Sequence, residues 1–97
     1  MINDEEEPAA LLEIEDVIDL HGFAPKDIVA VVEDYLEAAH AKGFREVRII
    51  HGRGVGFQRN RVRELLSRHP LVERFADAPS TRGGWGATVA WLIAADP

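Results

Sequence analysis

The eight residues Ile49 to Gly56 read IIHGRGVG, an apolar β-branched pair that ends on a histidine and then breaks into three glycines spaced by Arg53 and Val55. A strand-to-helix turn ordinarily needs a single glycine, or an Asn, Asp or Ser, so this stretch does more than change direction. Upstream, Glu46 to His51 carries Val47, Ile49 and Ile50 and reads as a strand. Downstream, Val62, Leu65, Leu66 and His69 mark a short helix. Pro70 stops it, because the residue before a proline is pushed out of helical geometry.

Working outward, the same ending occurs earlier in the chain. Val17 to Leu20 is a short apolar strand interrupted by Asp19, and it too ends in His-Gly, at His21-Gly22. Pro25 then suits a first helical position and Asp27 a first turn. Ile28, Val31, Val32, Tyr35, Leu36 and Ala39 recur at helical spacing until Gly43 supplies the stop. Val72 to Ala76 reads as a third strand, Asp77 to Trp85 as a polar loop, and Ala87 to Ile93 as a last strand.

The order is βαβαββ. A strand, helix, strand unit of this length makes the first two strands parallel. Two helices for four strands predict an α/β fold: a two-layer sandwich with a mixed four-stranded sheet, both helices on one face and the other face open. Ligands of open α/β sheets bind beyond the carboxyl ends of the strands, which puts His21 and His51 on one rim.

A chain of 97 residues, 46% apolar and 29% charged, is one globular domain. It contains no cysteine, which excludes a disulfide framework, zinc ribbons and thiol catalysis. No apolar run approaches membrane-spanning length and no signal-peptide pattern opens the chain, so a soluble cytoplasmic protein without a membrane partner is expected. The net charge of −6 conceals a dipole: residues 1 to 37 sum to −11 and residues 38 to 97 to +5. Residues 1 to 16 are expected to form an acidic, mobile extension, with a short packed piece around Leu11 and Leu12, ahead of a domain over 17 to 97. The acidic arm is either a solubilising tail or an internal competitor for a basic surface.

Asp19 and His21 stand two apart, so on a strand they share a face, where the carboxylate can orient the imidazole and fix its tautomer. The alternative is a strand-end Asp capping a turn beside a hydrogen-bonded His. Gly52, Gly54 and Gly56 let the backbone take positive φ and turn successive N–H groups inward as an anion nest at a helix N-terminus, or else form a tight turn. Arg53 lies within this loop. Arg59, Arg61, Arg63 and Arg68 follow, as a face for a phosphate backbone or a solvated surface. Gly83-Gly84-Trp85-Gly86 opens the last strand, with Trp85 either in the core or free to stack on an unpaired base. For His40 and His69, surface and core roles suffice.

Taken together, IDLHG at 18 to 22, IIHGRGVG at 49 to 56 and GGWGAT at 83 to 88 resemble the small MutS-related (Smr) domain family. The resemblance implies a fold similar to the C-terminal domain of bacterial translation initiation factor three. It also implies DNA or RNA as partner, with the ribosome a further one, and endonuclease activity on branched or structured nucleic acid. The family motifs fall on Asp19 and His21, on His51, Gly52, Arg53 and Gly54, and on Gly83, Gly84 and Gly86. Val55 and Gln58 depart from the pattern, which commonly carries Thr and Leu there.

On this reading His21, oriented by Asp19, is the general base, and His51 protonates the leaving oxygen or holds the phosphate. Arg53 and the loop amides stabilise developing charge, and Gly56, Arg59, Arg63, Gly84, Trp85 and Gly86 complete the phosphate-binding set. A divalent cation, magnesium or manganese, bound by Asp19 is another way to activate the nucleophile, although one carboxylate with histidines is a thin magnesium site. The rivals are a non-catalytic module for nucleic acid or the ribosome, and a protein-interaction domain working through its acidic arm. The oligomeric state is open at this level.

Overall fold

The structure, a computed structural model, describes residues 13–54 and 56–95. The acidic run Asp4 to Glu7, the apolar pair Leu11-Leu12 and the departure at Val55 lie outside the described residues. Among the described residues the strands and α-helices are β1 (Val17–Asp19), α1 (Ile28–Ala41), β2 (Glu46–Ile50), α2 (Phe57–Arg68), β3 (Val72–Asp77) and β4 (Ala87–Leu92). They follow the βαβαββ order read from the sequence. The strands lie in the order β1-β2-β4-β3, with β1 parallel to β2 and β4 antiparallel to both β2 and β3. The mixed four-stranded sheet is as expected.

Periodicity explains the core. Ile28, Val32, Tyr35, Leu36 and Ala39 turn one face of α1 inward, and Val62, Leu65 and Leu66 do the same for α2. They meet Val47 and Ile49 of β2 and Ala90 and Leu92 of β4 in one cluster. Each fully buried aliphatic side chain in it contributes about 1.5–3 kcal/mol. Contacts also reach upstream of the boundary expected at residue 17: Ile14 packs against the core, Tyr35 donates its hydroxyl proton to the Glu15 carbonyl, and Asp16 accepts from the Arg48 amide.

The strand face away from the helices is not left bare. Ala78, Ala87 and Val89 form a small second cluster there with Ile50 and Trp91. Arg74 stacks on Trp91 at 3.8 Å, and Arg48 donates to the Arg82 carbonyl at 3.2 Å while Arg82 pairs with Glu46 at 3.3 Å. The expected open face is thus covered by arginine stems and by the segment leading into β4. Long cationic side chains can shield apolar sheet while their heads stay hydrated.

Two strands end earlier than the apolar pattern suggested. β1 stops at Asp19, and Leu20–Gly22 turns as a 3₁₀ segment that drops Leu20 into the core. β2 stops at Ile50. Because β1, β2 and β3 all run in one direction, Asp19, Ile50 and Asp77 end on one edge of the sheet. β4 begins on that same edge, at Ala87.

Candidate functional site

Along this edge Asp19 grips His21 at two points. Its Oδ1 accepts the His21 backbone N–H at 2.9 Å and stands 2.7 Å from ring Nδ1. The pairing expected from the D-x-H spacing is present, but its cause differs: His21 lies in the 3₁₀ turn, so the residues meet through a turn and not along one strand face. The backbone hydrogen bond, reinforced by the ring contact, lowers the Asp19 pKa. An ionised carboxylate only accepts, so Nδ1 carries a proton, and in the neutral ring the lone pair is on Nε2. Both side chains are exposed.

His51 behaves oppositely. It is 7% exposed, its Nδ1 donates to the Gly52 carbonyl at 3.0 Å, and the Thr88 hydroxyl donates to its Nε2 at 2.8 Å. Burial lowers its pKa below the usual 6.5, so the ring is neutral at pH 7. The expectation that His51 protonates a leaving oxygen or grips a phosphate does not fit a ring that is buried and bonded at both nitrogens. It ties the end of β2 to β4.

The glycines also divide their work. Gly52 has φ of +90°, and a Cβ there would stand 2.9 Å from His21 Nε2. The glycine of one His-Gly ending therefore makes room for the histidine of the other, and the two endings share one rim as expected. The amides of His51 and Gly52 both donate to the Gly86 carbonyl, at 3.1 and 2.9 Å. Gly52 is thereby removed from the expected anion nest. Gly56 caps α2 in the left-handed region with no side-chain cap, so the first-turn amides of α2 keep their capacity to donate.

Arg53 lies across the late glycines. Cβ atoms at Gly84 and Gly86 would meet it at 3.2 and 3.1 Å, and its Nη2 reaches the Gly83 carbonyl at 3.4 Å. GGWG is thus a bed for the Arg53 side chain, beside the Gly52 that abuts His21. Trp85 packs its ring edge toward Gly56 and is 41% exposed, neither core nor free. Arg59 stacks on it at 4.6 Å.

Arg59 and Arg63, four residues apart on α2, are expected phosphate contacts. The structure instead sets the Asp77 carboxylate between them, 2.7 Å from Arg59 and 3.1 Å from Arg63. The Arg59 hydrogen bond, helped by the positive charges of Arg59 and Arg63, lowers the Asp77 pKa. Two guanidinium groups on one carboxylate relieve the repulsion of the i, i+4 pair and leave a net positive charge. Asp77 and Thr88 are the residues sequence reasoning missed. Thr88 stood in the quoted GGWGAT, while Asp77 read only as the first residue of the polar loop and instead closes β3.

A pocket of about 260 Å³ opens beside the rim, lined by His51, Gly52, Gly54, Gly56, Phe57, Gln58 and Arg59, so that His51 borders it although both its ring nitrogens are engaged. Among the described residues, no group of three His, Asp or Glu side chains comes together to hold a metal ion. Among the described residues the divalent-cation alternative is left with the Asp19 carboxylate, already engaged by His21.

Fold and rim define a small mixed α/β domain that gathers an Asp-His pair, an arginine on glycines and a helix N-terminus at the carboxyl edge of its sheet. The sequence pattern of the Smr domain matches residues 18–93, and the chain belongs to this family. It is 41% identical over 75 residues to the Endonuclease MutS2 of Caldicellulosiruptor saccharolyticus, a match covering 77% of this chain and 10% of the relative. The chain thus spans about a tenth of the length of the curated relatives it matches. The crystal structure of the Smr domain of Thermus thermophilus MutS2 superposes with a TM-score of 0.77 at 40% identity, covering 81% of this chain and 99% of that one. YdaL, a stand-alone small MutS-related protein from Escherichia coli, gives 0.74 at 26% identity, covering 79% and 63%.

Proposed function

We propose that this domain binds branched or structured DNA or RNA at the carboxyl edge of its sheet and cleaves a phosphodiester bond there, as a nicking endonuclease or endoribonuclease. The observation that carries the reading is the exposed Asp19-His21 pair, whose Nε2 lone pair faces the Gly52 turn beside Arg53. Nε2 takes a proton from the attacking oxygen, of water or of a neighbouring ribose 2′-hydroxyl. The new P–O bond forms as the leaving oxygen departs, and that oxygen recovers a proton from His21 or from solvent. Arg53 and the first-turn amides of α2 face the growing negative charge. His51 positions the turn through Thr88 and Gly52 and exchanges no proton. The names of the MutS2 relatives support an endonuclease role. No helix among the described residues is long and apolar enough to cross a membrane.

Incubation of the purified protein with supercoiled plasmid and with structured RNA tests this, alongside Asp19→Ala and His21→Ala. Cleavage that survives in both variants would mean that other residues, or a contaminant, cut. A binding-only reading, for nucleic acid or the ribosome, is favoured by one feature: with His51 neutral and saturated, His21 is the single free proton carrier of the two. It predicts salt-sensitive binding and no cleavage with any metal.

A further inference from the structure

Two neighbouring residues of the rim pocket, Gln58 and Arg59, each hold a buried side-chain atom without a partner among the described residues, the Gln58 Oε1 acceptor and the Arg59 Nε donor. Arg59 is paired with Asp77 through Nη2, so of the two only Gln58 makes no other side-chain contact that explains its polarity. It is the second residue of α2, and its buried side-chain oxygen meets no hydrogen-bond partner among the described residues. Such an atom lowers stability relative to an apolar side chain of the same length, so it points to a donor supplied from outside. Gln58 lines the rim pocket of about 260 Å³. One wall is Phe57, 59% exposed. The Arg61 guanidinium lies 5.4 Å from its ring and is itself held by the Pro25 carbonyl at 2.8 Å. Gly52, Gly54 and Gly56 supply stretches of wall without side chains, and Gly52 is the residue against which His21 Nε2 rests.

An aromatic wall, side-chain-free backbone, one unmet acceptor and surrounding arginines suit a flat heterocycle that carries an N–H and is joined to a polyanion. We infer that the pocket takes one unpaired nucleobase, stacked on Phe57 and donating an exocyclic or ring N–H to Gln58 Oε1, next to the bond presented to His21. The inference rests on the nucleic-acid reading above and narrows its substrate. A base held in a duplex has its edge occupied and both faces stacked, so it cannot enter without being flipped out. The domain therefore selects the single-stranded or splayed part of a branched or folded substrate.

Fluorescence anisotropy at low salt tests this, with labelled single strands of DNA and of RNA, the same backbones made abasic, and a duplex. The wild-type protein is expected to bind the base-bearing strand more tightly than the abasic strand or the duplex. Phe57→Ala should weaken the base-bearing strand by about 5- to 150-fold, and Gln58→Leu by about 2- to 10-fold. Neither should change abasic binding. Phe57 is exposed and so dispensable for folding, and Gln58→Leu should raise the unfolding temperature because it removes the unmet acceptor. Equal binding of base-bearing and abasic strands, or unchanged binding by both variants, overturns the base pocket and leaves the nucleic-acid reading standing. Absence of binding to every probe overturns both.

Discussion

One oxygen of Asp19 serves His21 twice, taking its backbone N–H at 2.9 Å and facing its Nδ1 at 2.7 Å. The contact sets where the imidazole lies and which nitrogen is free. Asp19→Asn keeps a carbonyl for the backbone amide but loses the charge that holds the proton on Nδ1. His21→Ala is expected to slow cleavage by about 10²–10⁴-fold, and Asp19→Asn to slow it measurably. Initial rates on plasmid and RNA check this. Both side chains are exposed, so thermal midpoints should stay near wild type.

Gly52 and Gly54 lie two residues apart yet should respond differently to a methyl group. At Gly52 the backbone is left-handed and a Cβ would meet His21 Nε2 at 2.9 Å, whereas a Cβ at Gly54 would meet nothing within 4 Å. Gly52→Ala is expected to lose about 1–2 kcal/mol of stability and to displace the histidine, abolishing most activity. Gly54→Ala should do neither. Urea unfolding together with cleavage rates separates the two, and equal behaviour of the variants would contradict the geometry.

Thr88 is fully buried, with its hydroxyl on His51 Nε2 at 2.8 Å. Thr88→Val has the same shape without the donor, leaving the buried nitrogen unsatisfied at a cost of about 1–3 kcal/mol. Thr88→Ser keeps the bond and should recover part of the loss. The order wild type, Ser, Val in chemical denaturation is the expected result.

His51 also sets an acid limb in stability. Burial depresses its folded pKa below the usual 6.5, so between the two values the unfolded chain binds a proton that the folded chain refuses. This contribution is present above about pH 6.5 and is lost as pH falls through the folded value. Urea midpoints measured downward from pH 8 should begin to fall near that point, ahead of the carboxylate limb. In His51→Gln, overall stability should be lower and this limb absent; an unchanged limb would assign it to another histidine.

Much of the architecture was legible because it rests on periodicity and punctuation. The apolar spacing from Ile28 to Ala39, the β-branched Val47, Ile49 and Ile50, and the stops at Gly43 and Pro70 each act on neighbours in the chain. The His-Gly endings were legible as one rim because parallel strands place their carboxyl ends together. What was misjudged involved partners distant in sequence. The carboxylate shared by Arg59 and Arg63 went unread because Asp77 lies on β3 and the two arginines on α2. The sheet face looked open because Arg48, Arg74 and Arg82 cover it only after folding.

The sequence by itself determined that two His-Gly endings, with Asp19, would meet at one edge of a mixed sheet. Residue type and spacing set strand, turn and helix, and connection length sets strand direction. Only the tertiary structure decided how the two histidines differ. His21 is left exposed on a charged partner in a turn, while His51 is enclosed by Thr88 and the Gly52 carbonyl. Their local sequences share the same His-Gly ending; burial and the Thr88 hydroxyl, brought from far along the chain, occupy the His51 nitrogen whose counterpart in His21 is left without such a partner.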